Sequence, residues 1–433
     1  MRVLLLFLLT STSILTEIFY TLLSNWLNMR KIILSTLGLL FAVGLFAQEQ
    51  YVVLVSMDGF RWDYSQMYHT PNLDKMAREG VSAKSLVPCF PSKTFPNHYS
   101  MATGLYPDHH GIVNNSFYAP EFNESFSLSN LKAKYDPKFY GGEPIWNTAE
   151  RQGVKAASFF WVGSEIPING RQPSIWKPYD GAVPFSDRVD SVVSWLKRPV
   201  LDRPRLVLLY FQEPDKVSHN NGPMCKETKV VVEELDSLIG VLRAKLNALP
   251  HAEKVSLIVV SDHGMAPISI DRVVELGKRI KPEWVDQVQA DNPAMNIKAK
   301  THFFDSVYNA LTCTPHIKVW KSKEMPERLN YGKNPRTLDF TVVADSLWSI
   351  TWRLRSTKAE DYSKGTHGYD PEYKAMHGIF YACGPMFKRG TLTRSFENLN
   401  VYNIVCRVLG ITPSHNDGDP KVLDWIFVDP SKK

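Results

Sequence analysis

Three short apolar runs in this chain each lead straight into acidic or histidine residues. The runs span residues 51–56 (YVVLVS), 206–211 (LVLLYF) and 255–261 (VSLIVVS). Uninterrupted apolar character, without the alternation of a half-exposed strand, is typical of strands covered on both faces in a parallel sheet. Ligands of such sheets bind beyond the carboxyl ends of the strands. We therefore expect the polar residues that follow the three runs to share one site.

Helical patterns separate the apolar runs. Residues 71–79 follow Thr70, a suitable N-cap, and place a proline at the first helical position. Residues 226–249 carry apolar side chains at a spacing of three to four. The alternation of strand and helix predicts an α/β fold with a doubly wound, mostly parallel sheet and helices on both faces. Residues 320–357, rich in Lys, Pro, Asn and Trp, predict a small inserted cap region.

Composition narrows the class of protein. With 44% apolar and 12% aromatic residues among 433, the chain has enough apolar content for a large core, which excludes a disordered chain or a fibre. Lysine and arginine outnumber aspartate and glutamate by 50 to 44, a net charge of +6. Nucleic-acid binding needs clustered basic residues rather than so small a surplus, so no such surface is indicated.

The first 47 residues differ from the rest of the chain. Residues 29–47 combine a basic start, an apolar run and a small residue, Ala47, before a polar segment, which is the pattern of a secretory signal. We interpret residues 1–47 as an N-terminal extension and signal peptide with the true start at Met29, and residues 48–433 as a single catalytic domain. The protein is then exported, periplasmic or secreted, and contacts a membrane only if the segment stays uncleaved as an anchor. The five cysteines follow this segment, and their odd number leaves at least one thiol unpaired.

Carboxylates and histidines recur where a metal site would need them. The candidates are Asp58, Asp215, His219, Asp262, His263 and His367. Their oxygens and nitrogens suit a metal such as zinc, and two metals can clamp the attacking and leaving oxygens of a phosphoryl transfer. Each acid alone more often caps a helix or forms a turn. The recurrence after three strand-like runs, and again at 365–370 (GTHGYD), supports a shared metal site.

Longer motifs resemble one known family. They are MDGFR at 57–61, FPSKTFPNHYSMATGLYPDHHGIVNN at 90–115, YFQEPDKVSHNNGP at 210–223, SDHGM at 261–265, MPERLNY at 325–331, VVADSLW at 342–348 and GTHGYD at 365–370. Their order over residues 51–428 is similar to that of the nucleotide pyrophosphatase/phosphodiesterase family of the alkaline phosphatase superfamily. The resemblance implies an alkaline-phosphatase-like fold and a zinc-dependent hydrolase. Its substrates would be nucleotide phosphodiester or phosphoanhydride bonds, and its products nucleoside 5'-monophosphates.

The resemblance also implies a role for each candidate. Thr94 would be the nucleophile and would form a covalent threonyl intermediate. A threonine hydroxyl is a weak nucleophile at neutral pH, which explains the need for a metal beside it. Two Zn2+ per chain are implied, with Asp58, Thr94, Asp262 and His263 as ligands of one and Asp215, His219 and His367 as ligands of the other.

Three residues match substrate-binding positions of the family. Asn115 would donate its amide to a non-bridging phosphate oxygen, which suits the single negative charge of a diester. Phe95 and Tyr179 would sandwich a nucleobase, although an aromatic side chain beside a proline is often only packed. The implied substrates are nucleotides such as nucleoside triphosphates, dinucleotides and nucleotide sugars.

Other interpretations stay open. The same site could take a choline phosphodiester or a lysophospholipid instead of a nucleotide. Cys89 begins a C-F-P-S-K segment that approaches the sulfatase signature, with Lys93 in place of its arginine. His377 is a rival of His367 as a ligand, and an exported binding protein on an inactive phosphatase fold is the non-enzymatic alternative. Three histidines are expected only to hold a loop by hydrogen bonds: His98, His109 and His110.

Overall fold

The computed structural model describes residues 22, 24–26, 29–31, 49–289, 292–421 and 423–429. Contacts divide the chain into a unit of residues 1–49 and a unit of residues 50–433, and the elements named below belong to the second. Apart from residues 29–31, the interpreted signal segment and its cleavage point lie outside the described residues. Over the described ranges, no helix combines the length and the apolar character that crossing a membrane requires.

Two sheets of four or more strands organise the second unit. Their strands are β1 (Tyr51–Met57), β2 (Val81–Ala83), β3 (Ala156–Phe159), β4 (Ile175–Trp176), β5 (Leu206–Phe211), β6 (Val255–Val260), β7 (Val285–Gln289), β8 (Ala294–Ala299), β9 (Ile317–Lys321), β10 (Phe340–Ala344), β11 (Phe380–Cys383) and β12 (Thr391–Thr393). The larger sheet has the order β12-β2-β11-β6-β1-β5-β3-β4. β1 runs parallel to β5 and β6 on its two sides, whereas β11 runs antiparallel to β6 and β2. This mostly parallel sheet confirms the predicted fold class.

The three apolar runs form the three central strands. Every residue of β1 and β6 is buried, and in β5 only Tyr210 is partly exposed. Successive side chains of a strand point to opposite faces. Val52 and Leu54 accordingly join the core on one face of the sheet, whereas Val53 and Val55 join the core on the other. The strands are therefore covered on both faces, as their uninterrupted apolar character predicts.

Helices supply the cover on both faces. They are α1 (Tyr64–Met67), α2 (Pro71–Glu79), α3 (Thr94–Thr103), α4 (Pro107–His110), α5 (Leu131–Lys134), α6 (Ile145–Arg151), α7 (Phe185–Leu196), α8 (Asp215–Asn221), α9 (Lys226–Asn247), α10 (Phe304–Thr312) and α11 (Val401–Leu409). α2, α7 and α9 share a core with Val53, while α3, α6 and α11 share a core with Val52. α9 ends at Asn247, two residues before the predicted end.

The start of α2 differs from its prediction. Thr70 is the N-cap residue, but its hydroxyl donates to the carbonyl oxygen of Ser65 at 3.3 Å. The amides of Asn72 and Leu73 bond instead to the Asp236 carboxylate on α9, at 3.1 and 2.8 Å. The Asp236 carboxylate is buried and needs donors, so a contact between two helices replaces the local cap.

The inserted region is longer than the sequence predicts. β7, β8, β10 and β9 form a second, antiparallel sheet that starts at Val285 rather than near residue 320. Ile297, Val307 and Phe340 belong to a separate core between this sheet and α10. The prediction missed β7 and β8 because strands of five or six residues give little periodic signal.

Candidate active site

The carboxyl ends of the central strands bring the predicted acidic residues together. Asp58 follows β1, Asp215 begins α8 after β5, and Asp262 and His263 follow β6. His219 lies one turn along α8, with Nε2 3.4 Å from Asp215 Oδ1, as the spacing of four predicts. These five residues thus meet at one edge of the sheet because three adjacent parallel strands end there.

A loop carries the remaining candidate, His367, into the same place. Residues Ala266–Pro267, just beyond β6, pair with Gly365–Thr366 in a short antiparallel ladder. The next residue, His367, has its Nε2 3.6 Å from Asp215 Oδ1. Its ring stacks on that of His263, with the ring centroids 3.6 Å apart. The structure therefore brings all six predicted acids and histidines together.

His377, the rival of His367, lies apart from this group. Its Nε2 donates to the carbonyl oxygen of Pro371 and its Nδ1 accepts from the hydroxyl of Ser85, each at 2.8 Å. Both ring nitrogens are engaged, and His377 joins none of the groups that could hold a metal ion in the part of the chain that the structure describes. The geometry favours His367.

The three histidines of the site share one orientation. Each directs Nδ1 at a backbone carbonyl oxygen: His219 at Gly365 (2.7 Å), His263 at Gly264 (2.8 Å) and His367 at Ser92 (2.8 Å). A carbonyl oxygen only accepts hydrogen bonds, so Nδ1 carries the proton and Nε2 presents a lone pair. Bonds of this kind orient imidazoles that bind metals.

The buried carboxylates each leave one oxygen open. Asp58 Oδ2 accepts from the Tyr210 hydroxyl at 2.6 Å, and Asp262 Oδ1 accepts from the amide of Gly59 at 3.2 Å. Three carboxylate oxygens of the site are buried without a hydrogen-bond partner in the described part of the chain: Asp58 Oδ1, Asp215 Oδ1 and Asp262 Oδ2. Buried acceptors without donors cost free energy, and a cation would supply the missing partner. Three open oxygens and three imidazole lone pairs fit the ligand preferences of zinc.

The candidate ligand atoms form overlapping groups, each within 4.8 Å. The groups are Asp215, His219 and His367; Asp58, Asp215 and His263; and Asp58, His98 and Asp262. The first is the set that the family resemblance implies for one zinc. The other two contain the carboxylates and the histidine implied for the second, and they add His98.

His98 is closer to the site than the sequence analysis predicted. All three loop histidines make the expected hydrogen bonds: His98 Nε2 with Ser56 Oγ (2.8 Å), His109 Nδ1 with Asp417 (2.7 Å) and His110 Nε2 with Ser100 Oγ (3.0 Å). His98 Nδ1 also lies 3.0 Å from the carbonyl oxygen of Thr94 and 3.3 Å from Asp262 Oδ2. The spacing of four between Thr94 and His98 on α3 is the signal that could have shown this.

Thr94 stands at the N-terminus of α3, beside the open ligand atoms. Its Oγ1 is 3.2 Å from His263 Nε2. The amides at a helix N-terminus lack intrahelical partners and attract anions. Asn115 Oδ1 accepts from the Phe95 amide at 2.9 Å, which leaves the Asn115 side-chain amide available as a further donor. The Thr94 hydroxyl and the side-chain amide of Asn115 therefore lie at the same end of α3.

Burial and neighbouring charges shift the pKa values of the site. Burial, followed by the charges of Asp262 and Asp215, raises the pKa of Asp58 well above its usual range. Although burial opposes it, His219 lowers the pKa of Asp215, and Asp215 in turn raises that of His219. Burial, followed by the charge of His263, lowers the pKa of His367. Burial and the neighbouring carboxylates thus penalise the ionised form of Asp58, and a bound cation would relieve that penalty.

A cavity of about 390 Å³ opens above Thr94 and the ligand atoms. Phe95, Asn115 and Tyr179 line it, as do Asp58, Asp215, His219 and His367. Phe95 is half-buried with its ring centroid 6.1 Å from that of Phe126, whereas Tyr179 is 41% exposed. The structure thus brings the three predicted substrate-binding residues to one cavity. A larger groove of about 960 Å³ beside Val255 contains none of the predicted residues.

Three of the polar cavity-wall residues that sequence reasoning missed are Lys134, Glu165 and Tyr210. Lys134 Nζ donates to the Tyr135 hydroxyl at 3.3 Å, and Glu165 accepts from the amide of Tyr179 at 3.0 Å. Tyr210 is the third, and its bond to Asp58 makes it part of the site as well. Lys134 and Glu165 stand in no motif, whereas Tyr210 opens the YFQEPD segment and could have been found there.

Cys89 lies outside this cavity. Its thiol is buried and donates to Asn398 Oδ1 at 3.3 Å. Burial raises the pKa of the thiol, which keeps it protonated and unreactive. The sulfatase interpretation needs this side chain beside the metal ligands, and the structure does not bring it there.

Comparison with known proteins identifies the family. A family model described as type I phosphodiesterase/nucleotide pyrophosphatase matches residues 52–370. The chain belongs to this family. The matched range contains every candidate from Asp58 to His367 and ends before His377. The description of this family names phosphodiesterases and nucleotide pyrophosphatases.

Relatives of known name agree with the assignment. Venom phosphodiesterase CdcPDE of Crotalus durissus collilineatus is 39% identical over 395 residues, which are 88% of this chain and 47% of the relative. Ectonucleotide pyrophosphatase/phosphodiesterase family member 3 of Rattus norvegicus is 37% identical over 391 residues, 88% of this chain and 44% of the relative. The chain spans about half the length of the curated relatives it matches.

Solved structures share the fold as well. Murine ectonucleotide pyrophosphatase/phosphodiesterase 5, an inactive threonine-to-alanine variant in complex with AMP, superposes with a TM-score of 0.83 at 34% identity. The human protein of the same name superposes with a TM-score of 0.82 at 34% identity. Each comparison covers 88% of this chain and 100% of the solved chain.

Proposed function

We propose that this chain is an exported, zinc-dependent nucleotide phosphodiesterase and pyrophosphatase that releases nucleoside 5'-monophosphates. One observation carries the proposal: the Thr94 hydroxyl lies 3.2 Å from His263 Nε2, among carboxylate oxygens that lack donors, at a cavity lined by Phe95 and Tyr179. The solved murine relative holds AMP, a nucleoside 5'-monophosphate, which supports the product class.

The proposed ligand sets are those that the family resemblance implies. Asp58, Thr94, Asp262 and His263 would hold one Zn2+, and Asp215, His219 and His367 would hold the other. Bound there, the metal ions would supply the positive charge that favours a threonine alkoxide and neutralises the charge on the phosphate oxygens.

Thr94 would act as the nucleophile of a two-step reaction. Its hydroxyl loses a proton to solvent, and Oγ1 bonds to the α-phosphorus while the bond from phosphorus to the leaving oxygen breaks. Water then breaks the Oγ1–phosphorus bond, releases the nucleoside 5'-monophosphate and returns a proton to Thr94. The backbone amide of Thr94, at the start of α3, and the Asn115 side-chain amide would donate to a non-bridging oxygen.

The cavity wall would select the nucleotide part of the substrate. Phe95 and Tyr179 offer aromatic faces on which a nucleobase can stack, a contact worth about 1–3 kcal/mol per base. Lys134 offers a donor and Glu165 an acceptor to the polar edge of the base. Nucleoside triphosphates, dinucleotides and nucleotide sugars share the part that these residues would bind.

Thr94→Ala tests the nucleophile. Hydrolysis of the p-nitrophenyl ester of thymidine monophosphate should fall by at least about a thousandfold, because the covalent step is lost. Zinc content should stay largely intact, because the other ligands remain, and elemental analysis checks this. Thr103→Ser at the far end of α3 is the matched control and should keep both properties. Near-normal turnover by Thr94→Ala would reject the mechanism.

A panel of esters tests the substrate class. We expect the thymidine ester to be preferred over p-nitrophenyl phosphate, p-nitrophenyl phosphorylcholine and p-nitrophenyl sulfate. Preference for the choline ester would keep the chemistry and reject the base-binding role of Phe95 and Tyr179. Preference for the sulfate would return attention to Cys89, and hydrolysis of none of the esters would favour a binding protein.

Export and domain organisation are part of the same proposal. Residues 1–47 would be an extension and signal peptide with translation starting at Met29, and residues 48–433 the catalytic domain. N-terminal sequencing of the protein recovered outside the cytoplasm should begin just after Ala47. A chain that keeps the preceding segment would instead be membrane-anchored.

A further inference from the structure

We propose that Tyr210 is a positioning residue that ties the wall of the nucleotide cavity to the metal-facing carboxylate of Asp58. The inference rests on the proposed function, because it assigns a role within the same site. Tyr210 lines the cavity and also donates its hydroxyl to Asp58 Oδ2 at 2.6 Å. One side chain therefore contacts both the space for the substrate and a ligand of the proposed metal.

The hydroxyl of Tyr210 determines which oxygen of Asp58 stays open. With Oδ2 engaged, Oδ1 is the oxygen that remains buried without a donor, 3.4 Å from His263 Nε2. A carboxylate without such a bond can rotate and present either oxygen. The bond from Tyr210 thus holds Asp58 in the orientation that a metal ligand needs, as partners of metal ligands commonly do.

The ring of Tyr210 is held between the two functional parts of the site. Its centroid lies 5.2 Å from that of His98, edge to face, and 6.2 Å from that of Tyr179. His98 is bonded to the carbonyl oxygen of Thr94 one turn earlier on α3, and Tyr179 is the proposed base platform. A nucleobase packed at Tyr179 would therefore restrain the ring whose hydroxyl holds Asp58. Nucleotide binding and metal binding should consequently strengthen each other.

Tyr210→Phe isolates the hydroxyl, because it keeps the ring and its packing. We expect zinc affinity, measured on the metal-free full chain by competition with a chelator, to fall by about 10- to 100-fold for one of two metal ions. The kcat for the thymidine ester at saturating zinc should fall, while KM changes little. Saturating AMP should raise the zinc affinity of the unmodified chain, and that gain should shrink in Tyr210→Phe.

Tyr135→Phe is the matched control. Tyr135 lines the same cavity, but its hydroxyl accepts from Lys134 and interacts with Glu165, which is not among the candidate metal ligands. Its zinc affinity should equal that of the unmodified chain. Unchanged zinc affinity in Tyr210→Phe, or a rise in KM alone, would overturn the inference and leave Tyr210 as a wall residue. Failure of the unmodified chain to bind zinc would instead overturn the proposed function itself.

Discussion

The two halves of the site differ in burial. We call Asp58, Asp262 and His263 the buried half, in which each side chain is at most 4% exposed. Asp215, His219 and His367 form the open half, in which His219 is 32% and Asp215 18% exposed, whereas His367 is only 4% exposed. One site therefore combines ligands fixed in the protein interior with ligands that meet solvent.

The difference follows from where each half sits in the fold. The residues of the buried half directly follow β1 and β6, which are neighbours at the centre of the sheet. The Gly59 amide donates to Asp262, and the Tyr210 hydroxyl donates to Asp58. The residues of the open half lie on α8 and in the loop at residues 365–370, rather than directly after a strand of the large sheet. We infer that the buried half orients the nucleophile, whereas the open half meets the leaving group and water.

The largest effect should come from losing a ligand of the open half. His367→Ala should lower turnover of the thymidine ester by about a thousandfold and reduce zinc content by about one ion per chain, because its Nε2 faces Asp215. Elemental analysis and initial rates measure both. His377→Ala is the matched control and should keep its zinc, at a stability cost of about 1 kcal/mol for the lost hydrogen bonds. The reverse result would exchange the roles of the two histidines.

Acidification should weaken zinc binding in the open half before it weakens zinc binding in the buried half, and this effect should be smaller than that of His367→Ala. Asp215 raises the pKa of His219 although burial opposes the rise, so a proton competes with metal at His219 from a higher pH than at an ordinary histidine. Below that pKa the zinc affinity of the open half should drop by about tenfold per pH unit. Chelator competition between pH 8 and pH 5 should show one ion released before the other. Simultaneous loss of both ions would remove this distinction between the halves.

The stability of the metal-free chain should show the smallest effect, with opposite signs in the two halves. The pKa of Asp58 is raised by burial and by Asp262 and Asp215, so this carboxyl destabilises the fold above the ordinary aspartate pKa, and the cost shrinks as the pH falls from the raised value toward the ordinary one. The pKa of Asp215 is lowered by His219 against the effect of burial, so its charge contributes stability above pH 4 that is lost in acid.

Two matched variants test these signs at neutral pH. Asp58→Asn should raise the Tm of the chelated protein by a few degrees, and Asp215→Asn should lower it. Thermal unfolding monitored by circular dichroism measures both. Equal shifts of the same sign would mean that the two halves do not differ electrostatically.

Much of the fold followed from local patterns. The apolar runs at 51–56, 206–211 and 255–261 became the three central strands, because a strand buried on both faces must be apolar at every position. The helix at 71–79 formed as predicted, yet its cap came from Asp236, more than 150 residues away. The start of the second sheet at Val285 was missed, because β7 is too short to carry a periodic signal.

The sequence alone predicted which residues would meet at the site. Acids and histidines after three strand ends, together with ordered motifs, named the family and the ten candidate residues before any geometry was known. Parallel strands end at the same edge of a sheet, so residues placed just after them must meet. The rule needs only the residues next to each strand, so it can be applied to a sequence without a structure.

Only the tertiary structure decided how these residues are held. The bonds from Tyr210 to Asp58 and from Ser92 to His367, and the place of His98 beside Asp262, join segments that are far apart in the chain. The hydrogen-bond partners of His377, away from the site, and the burial of Cys89 likewise became visible only in the structure. Hydrogen-bond partners and burial are set by packing between distant elements, and no local pattern encodes them.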